Sequence, residues 1–101
     1  MSFADTLKTL PEAGGTRLLL RDAAGLEVAV IENAPGTAGS FRVYAYLAQQ
    51  YGSINAAAAA EGLAIYAEHT ADARLNPGKH PNIDRLFGVQ ATGTPLAITL
   101  A

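Results

Sequence analysis

Thr16-Arg17-Leu18-Leu19-Leu20-Arg21 and Leu26-Glu27-Val28-Ala29-Val30-Ile31-Glu32, joined by Asp22-Ala23-Ala24-Gly25, decide the fold class of this chain. Both arms are rich in branched side chains, and the residues between them end on a glycine where a positive φ is most often needed. The segment reads as a β-hairpin over about 16–32. In the second arm Leu26, Val28 and Val30 point one way while Glu27, Ala29 and Ile31 point the other, so one face is buried and the second is only partly exposed. A two-stranded hairpin alone is only marginally stable, so a third strand or a helix must cover it. Pro95-Leu96-Ala97-Ile98-Thr99-Leu100 alternates in the way such a third strand requires, over about 95–100.

Helices account for most of the remainder. Ser2, followed three residues later by Asp5, resembles a capping box, and Phe3, Leu7 and Leu10 recur at helical spacing before Pro11 and Gly14-Gly15, which predicts a helix over about 2–10. After the loop Asn33–Gly39, Ser40 is a natural N-cap for a helix over about 40–51 that ends near Gly52. At 100° per residue, Phe41, Val43, Tyr44, Ala45, Leu47, Ala48 and Tyr51 form its apolar arc; Arg42, Tyr46, Gln49 and Gln50 lie opposite. Ser53 would cap a long helix over about 53–73, whose five consecutive alanines carry high helix propensity. Gly62 in its middle costs about 1 kcal/mol relative to alanine, and with Ala58 it marks a close crossing with the Ser40 helix. Asn76-Pro77-Gly78-Lys79 carries the type II turn signature, and Pro81 suits the first position of a short helix over about 81–87. From Gly88 to Pro95 the chain reads as loop. The expected fold is α+β, one domain over 1–101, with a small antiparallel sheet covered by helices on one face.

Composition bounds the function. A chain of 101 residues has room for one core that buries somewhat more than ~60 % of its unfolded surface. Of its 50 % hydrophobic residues, 21 are alanine, and Leu, Ile, Val and Phe number 24, which predicts a thin core of closely packed helices. A net charge of −2 without any Lys/Arg run argues against nucleic acid as a partner. With no cysteine, disulfides and thiolate chemistry are excluded, and a zinc site would need His, Asp and Glu alone. The absence of a basic-then-apolar leader and of any apolar run of about 18 residues points to the cytoplasm and away from a membrane.

Chemistry-bearing residues gather in Glu68-His69-Thr70-Ala71-Asp72 and in Asn76 to Asp84, which together hold both histidines. On a continuous helix, Glu61, Glu68 and Asp72 would form an acidic stripe with His69 beside it. Glu68, Asp72 and His80 are then candidate metal ligands, against which stands an ordinary surface salt bridge to Arg74, Lys79 or Arg85. His80 and Asp84, four apart, have the spacing of a carboxylate-oriented imidazole, but a turn and a first-turn charge explain both locally, and no nucleophile stands near them. Ser2, Ser40 and Ser53 each precede a helix, so capping accounts for all three. The loop Pro35–Ser40 leads from strand to helix, and its glycines would let backbone N–H groups converge on an anion at the helix start with Arg42 adding a bidentate contact; it lacks both G-x-x-x-x-G-K-[ST] and G-x-G-x-x-G, so a flexible connection with an N-cap is the ordinary reading and no cofactor is expected. Tyr46, among Arg42, Gln49 and Gln50, reads as an exposed aromatic on a candidate partner or dimer face.

The run Tyr66-Ala67-Glu68-His69-Thr70 through Asn76-Pro77-Gly78-Lys79-His80-Pro81-Asn82-Ile83-Asp84-Arg85-Leu86, with the opening Met1-Ser2-Phe3-Ala4-Asp5, resembles a bacterial family of small uncharacterised proteins, a domain of unknown function. The resemblance spans nearly the whole chain. It implies a bacterial, cytoplasmic origin and supplies no catalytic residues. The function is therefore unassigned, and two classes stand. The composition favours a small interaction or accessory protein without catalytic activity, self-associating or bound to a protein partner through a helix face or an unpaired sheet edge. The alternative is a metal-dependent or acid–base enzyme, or a small-ligand binder, built on Glu68, His69, Asp72, His80 and Asp84. Whether those side chains converge on a concave surface separates the two.

Overall fold

Asp22 makes the hairpin: its carboxylate accepts from the amides of Ala24 and Leu26 while Gly25 takes φ +85°, closing the turn between β1 (Arg17–Arg21) and β2 (Glu27–Glu32). The computed structural model describes residues 2–100; Met1 and Ala101, the ends of the expected span, lie outside it. Leu18 pairs with Ile31 and Leu20 with Ala29, which puts Leu18, Leu20 and Ile31 on the buried face. The side of β2 with Val28 and Val30 is the open one, and the register shift at Val28 brings Glu27, paired with Arg21, round to it against the expected alternation. The helices pack beneath β1, and β2 must present to them whatever lies across from Leu18 and Leu20.

Helix α1 (Phe3–Thr9) starts at Ser2, whose hydroxyl accepts from the Asp5 amide. Helix α2 (Ala38–Tyr51) begins two residues earlier than the serine signal predicts. Thr37 holds the N-cap position, its hydroxyl donates instead to the Glu32 carbonyl, and Ser40 lies inside the first turn. The expected helix over 53–73 is two helices, α3 (Ala56–Tyr66) and α4 (Glu68–Leu75), because Ala67 takes φ 50° and ψ −114° and breaks the hydrogen-bond ladder. The α3 cap is Asn55, which accepts from the Ala58 amide, and not Ser53. Helix α5 (Pro81–Thr92) runs through Gly88 and stops at Gly93, so most of the expected loop is helix. Strand β3 (Ala97–Leu100) pairs antiparallel with β1, giving a three-stranded sheet in the order β2-β1-β3, and the fold is α+β with five helices.

Beneath the sheet one cluster of buried side chains draws on strands and helices alike, with Phe41, Tyr44 and Leu47 of α2 at its centre and Leu63, Ile65, Ile83 and Leu86 closing it. A Cβ on Gly62 would lie 2.7 Å from Leu86 Cδ1 and 2.9 Å from Leu47 Cδ1, so the glycine admits two leucine side chains, from α5 and α2, where a backbone crossing was expected. None of the described helices is long and apolar enough to cross a membrane.

Candidate functional site

The break at Ala67 starts α4 at Glu68 and turns that carboxylate toward α1, where Oε1 accepts from the Phe3 amide at 2.7 Å. That backbone donor, and next Glu68's own amide, hold its carboxyl below the usual range. One turn on, α4 presents Asp72. The chain then reverses at Asn76-Pro77-Gly78-Lys79 by the expected turn, with Gly78 at φ +92° and the Lys79 amide donating to the Asn76 carbonyl at 3.1 Å. Asp84 braces the turn from α5, accepting from the Gly78 amide at 2.9 Å.

This reversal returns the chain to α4. His80 Nε2 comes to 2.6 Å from Asp72 Oδ2, and Lys79 Nζ to 3.0 Å from the same oxygen. The His80 hydrogen bond first, and then that of Lys79, hold the Asp72 carboxyl down at about 2. An ionised carboxylate can only accept, so the imidazole proton facing it sits on Nε2, which leaves Nδ1 as the basic nitrogen of a neutral ring. The carboxylate-oriented imidazole is therefore Asp72–His80; the expected partner Asp84 is occupied at the turn.

His69, from the first turn of α4, brings its ring centroid to 5.8 Å from that of His80 and sets its edge against Phe3 at 5.3 Å. Phe3 in turn stacks on Tyr66 at 5.1 Å. The Tyr66 hydroxyl, at the end of α3, donates to Ser40 Oγ in the first turn of α2 at 2.7 Å; burial pushes this phenol well above its ordinary range. These side chains, with Lys79, wall a cleft of about 350 Å³ lying where the N-termini of α2 and α5 meet. Neither N-cap, Thr37 or His80, supplies a side-chain hydrogen bond to its own helix. No carboxylate stands among the described residues lining the cleft. Beneath it Tyr44, buried and held up at about 12 by desolvation against the opposing pull of Arg85, donates to the Asn82 carbonyl and fixes the first turn of α5, and Arg85 bonds both Tyr44 Oη and Asn82 Oδ1.

Of the residues the sequence singled out, His69, Asp72 and His80 assemble, while Glu68 and Asp84 serve as local braces. Glu61 is separated from the other acids by the break and accepts from the Tyr51 hydroxyl at 2.6 Å, so no acidic stripe forms. The set Glu68, Asp72 and His80 does not close on one point; among the described residues no group of three or more His, Asp or Glu is placed to hold a metal ion. On the candidate interaction face, Arg42 donates to the carbonyls of Leu10 and Pro11 and so pins the connection after α1, Tyr46 is half-buried rather than exposed, and Gln49 and Gln50 remain exposed. Phe3, Ser40 and Tyr66 entered the site unannounced, from three separate parts of the chain, whereas Lys79 makes with Asp72 the surface salt bridge that the sequence offered for it.

No curated protein and no solved structure matches the chain. The bacterial family described as "Uncharacterized protein conserved in bacteria (DUF2322)" matches residues 3–100, and the chain belongs to that family.

Proposed function

We propose that the protein binds a small ligand carrying a phosphoryl or carboxylate group in the cleft between the N-termini of α2 and α5. One observation carries this reading: two imidazoles, an ammonium and the side chain of Ser40 wall the cleft, with no carboxylate among the described residues that line it. Asp72 stands behind His80 and Lys79, where it orients one donor and balances the other. The positive ends of two helices add to the field there. Phe3, Pro81 and Ile83 offer the ligand's remainder an apolar wall. We propose a cytoplasmic location as well; the family's occurrence supports the bacterial source.

The test is thermal unfolding in sulfate, inorganic phosphate or acetate against chloride at matched ionic strength. A saturable rise in melting temperature is expected that Lys79→Met and His69→Gln remove. No rise with any anion, or an equal rise in both variants, would sink the reading.

A further inference from the structure

The outer face of the sheet is apolar and has no covering layer among the described residues. Leu19 pairs with Val30 at its centre, Val28 lies beside them at the irregularity in β2, and Val28 and Val30 remain 49 % and 39 % exposed. An antiparallel sheet with one face in water ordinarily turns polar side chains outward. Here polar groups stand only around the apolar centre: Arg17 opposite Glu32 at one end, Arg21 opposite Glu27 at the other, and Thr99 on the β3 side. Arg17 Nε lies 3.8 Å from Glu32 Oε1. On this face β1 is therefore basic at both ends and β2 is acidic at both ends.

That pattern is complementary to itself under one symmetry operation. A two-fold axis parallel to the strands, lying in the interface plane between β1 and β2, lays β1 of a second copy over β2 of the first. Each arginine then meets a glutamate of the other chain at the same height, and Leu19 meets Val30. A two-fold axis across the strands would instead set Arg17 over Arg21 and oppose like charges. We propose that two copies of this chain associate face to face through the outer surfaces of their sheets, about this strand-parallel axis, with the aligned geometry that packed sheets adopt. The partner is a second copy because the face supplies both halves of its own charge pattern.

Sedimentation equilibrium across a concentration series tests this. The wild type is expected to approach twice the 10.4 kDa chain mass. Val30→Lys should yield a folded monomer by far-UV circular dichroism. Arg17→Glu and Glu32→Arg, each alone, should weaken association by about tenfold or more, since each reverses two symmetry-related contacts. An equimolar mixture of those two variants should restore the dimer, because the glutamate introduced in one chain then faces the arginine introduced in the other. A chain that stays monomeric to millimolar concentration overturns the proposal. So does a dimer indifferent to Val30→Lys and Arg17→Glu, which would place the contact at a strand edge or a helix face.

Discussion

His80 Nε2 lies 2.6 Å from Asp72 Oδ2, across a turn that only eight residues of chain separate. The bond fixes the orientation of the one imidazole in the cleft that a carboxylate positions. It also writes itself into the acid limb of stability. The Asp72 carboxyl falls from 3.8 to about 2 on folding, so the unfolded chain takes up its proton first as pH drops. The stabilisation is complete above about pH 4 and is lost as pH falls toward about 2. Urea unfolding at a series of acid pH values should show a shallower loss for Asp72→Asn than for the wild type across that window. Equal slopes would mean that the carboxyl is not held down.

At the other end of the pH scale, the Tyr44 phenol rises from 10.0 to about 12 through burial. Its stabilisation is whole below about pH 10 and drains as pH climbs toward 12. Tyr44→Phe should flatten part of the alkaline limb, with the rest left to Tyr66, Tyr46 and Tyr51, whose phenols are also held up. At neutral pH it should cost about 1–3 kcal/mol, since the Asn82 carbonyl loses its donor. A neutral-pH stability equal to the wild type would show the bond to be idle.

Gly62 is hemmed by two fully buried leucines, Leu47 and Leu86. Gly62→Ala gains about 1 kcal/mol of helix propensity and loses about 1–3 kcal/mol to overpacking, for a net destabilisation of about 1 kcal/mol. Gly62→Leu should be far worse, with failure to fold as one form of that result. A raised melting temperature for the alanine variant would reveal slack between the leucines.

Ala67 adopts φ 50°, a conformation that glycine tolerates and alanine does not. Ala67→Gly should therefore raise the unfolding free energy by up to about 1 kcal/mol, with the break between α3 and α4 intact. A destabilised glycine variant would show that the methyl group is worth more than the strain.

Adding Zn²⁺, Mn²⁺, Mg²⁺ or Ca²⁺ to metal-stripped protein should give no saturable rise in melting temperature that depends on His80, because Glu68 is committed to Phe3 and Asp72 to His80 and Lys79. A rise abolished by both Glu68→Ala and His80→Ala would restore the three-ligand reading.

The parts of this fold legible in the sequence are those written within a few residues. Gly25 after Asp22, and Gly78 after Pro77, each announce a turn because only a positive φ closes it there. The Asp72–His80 contact was within reach for the same reason, as a tight turn has few ways to bring its flanks together. Ala67 gave no warning, since an alanine in a run of good helix formers looks like more helix. Alternation in β2 revealed two faces but not which would be covered. Leu18 and Leu20, across the ladder, made that choice. The cleft was invisible as a whole, because Phe3 and Glu68 stand 65 residues apart.

Phe3 gives the cleft a wall made from a helix that buries none of its own residues. Helix α1 is held over the cleft at Phe3 by a hydrogen bond to Glu68 and a stack on Tyr66, while Leu7 packs against the core and Arg42 pins the connection that follows. Among the helices, α1 should be the first whose amides exchange with deuterium, and a ligand resting on Phe3 would slow them. The occupancy of the cleft would then be read at α1, far in sequence from the histidines proposed to hold the ligand.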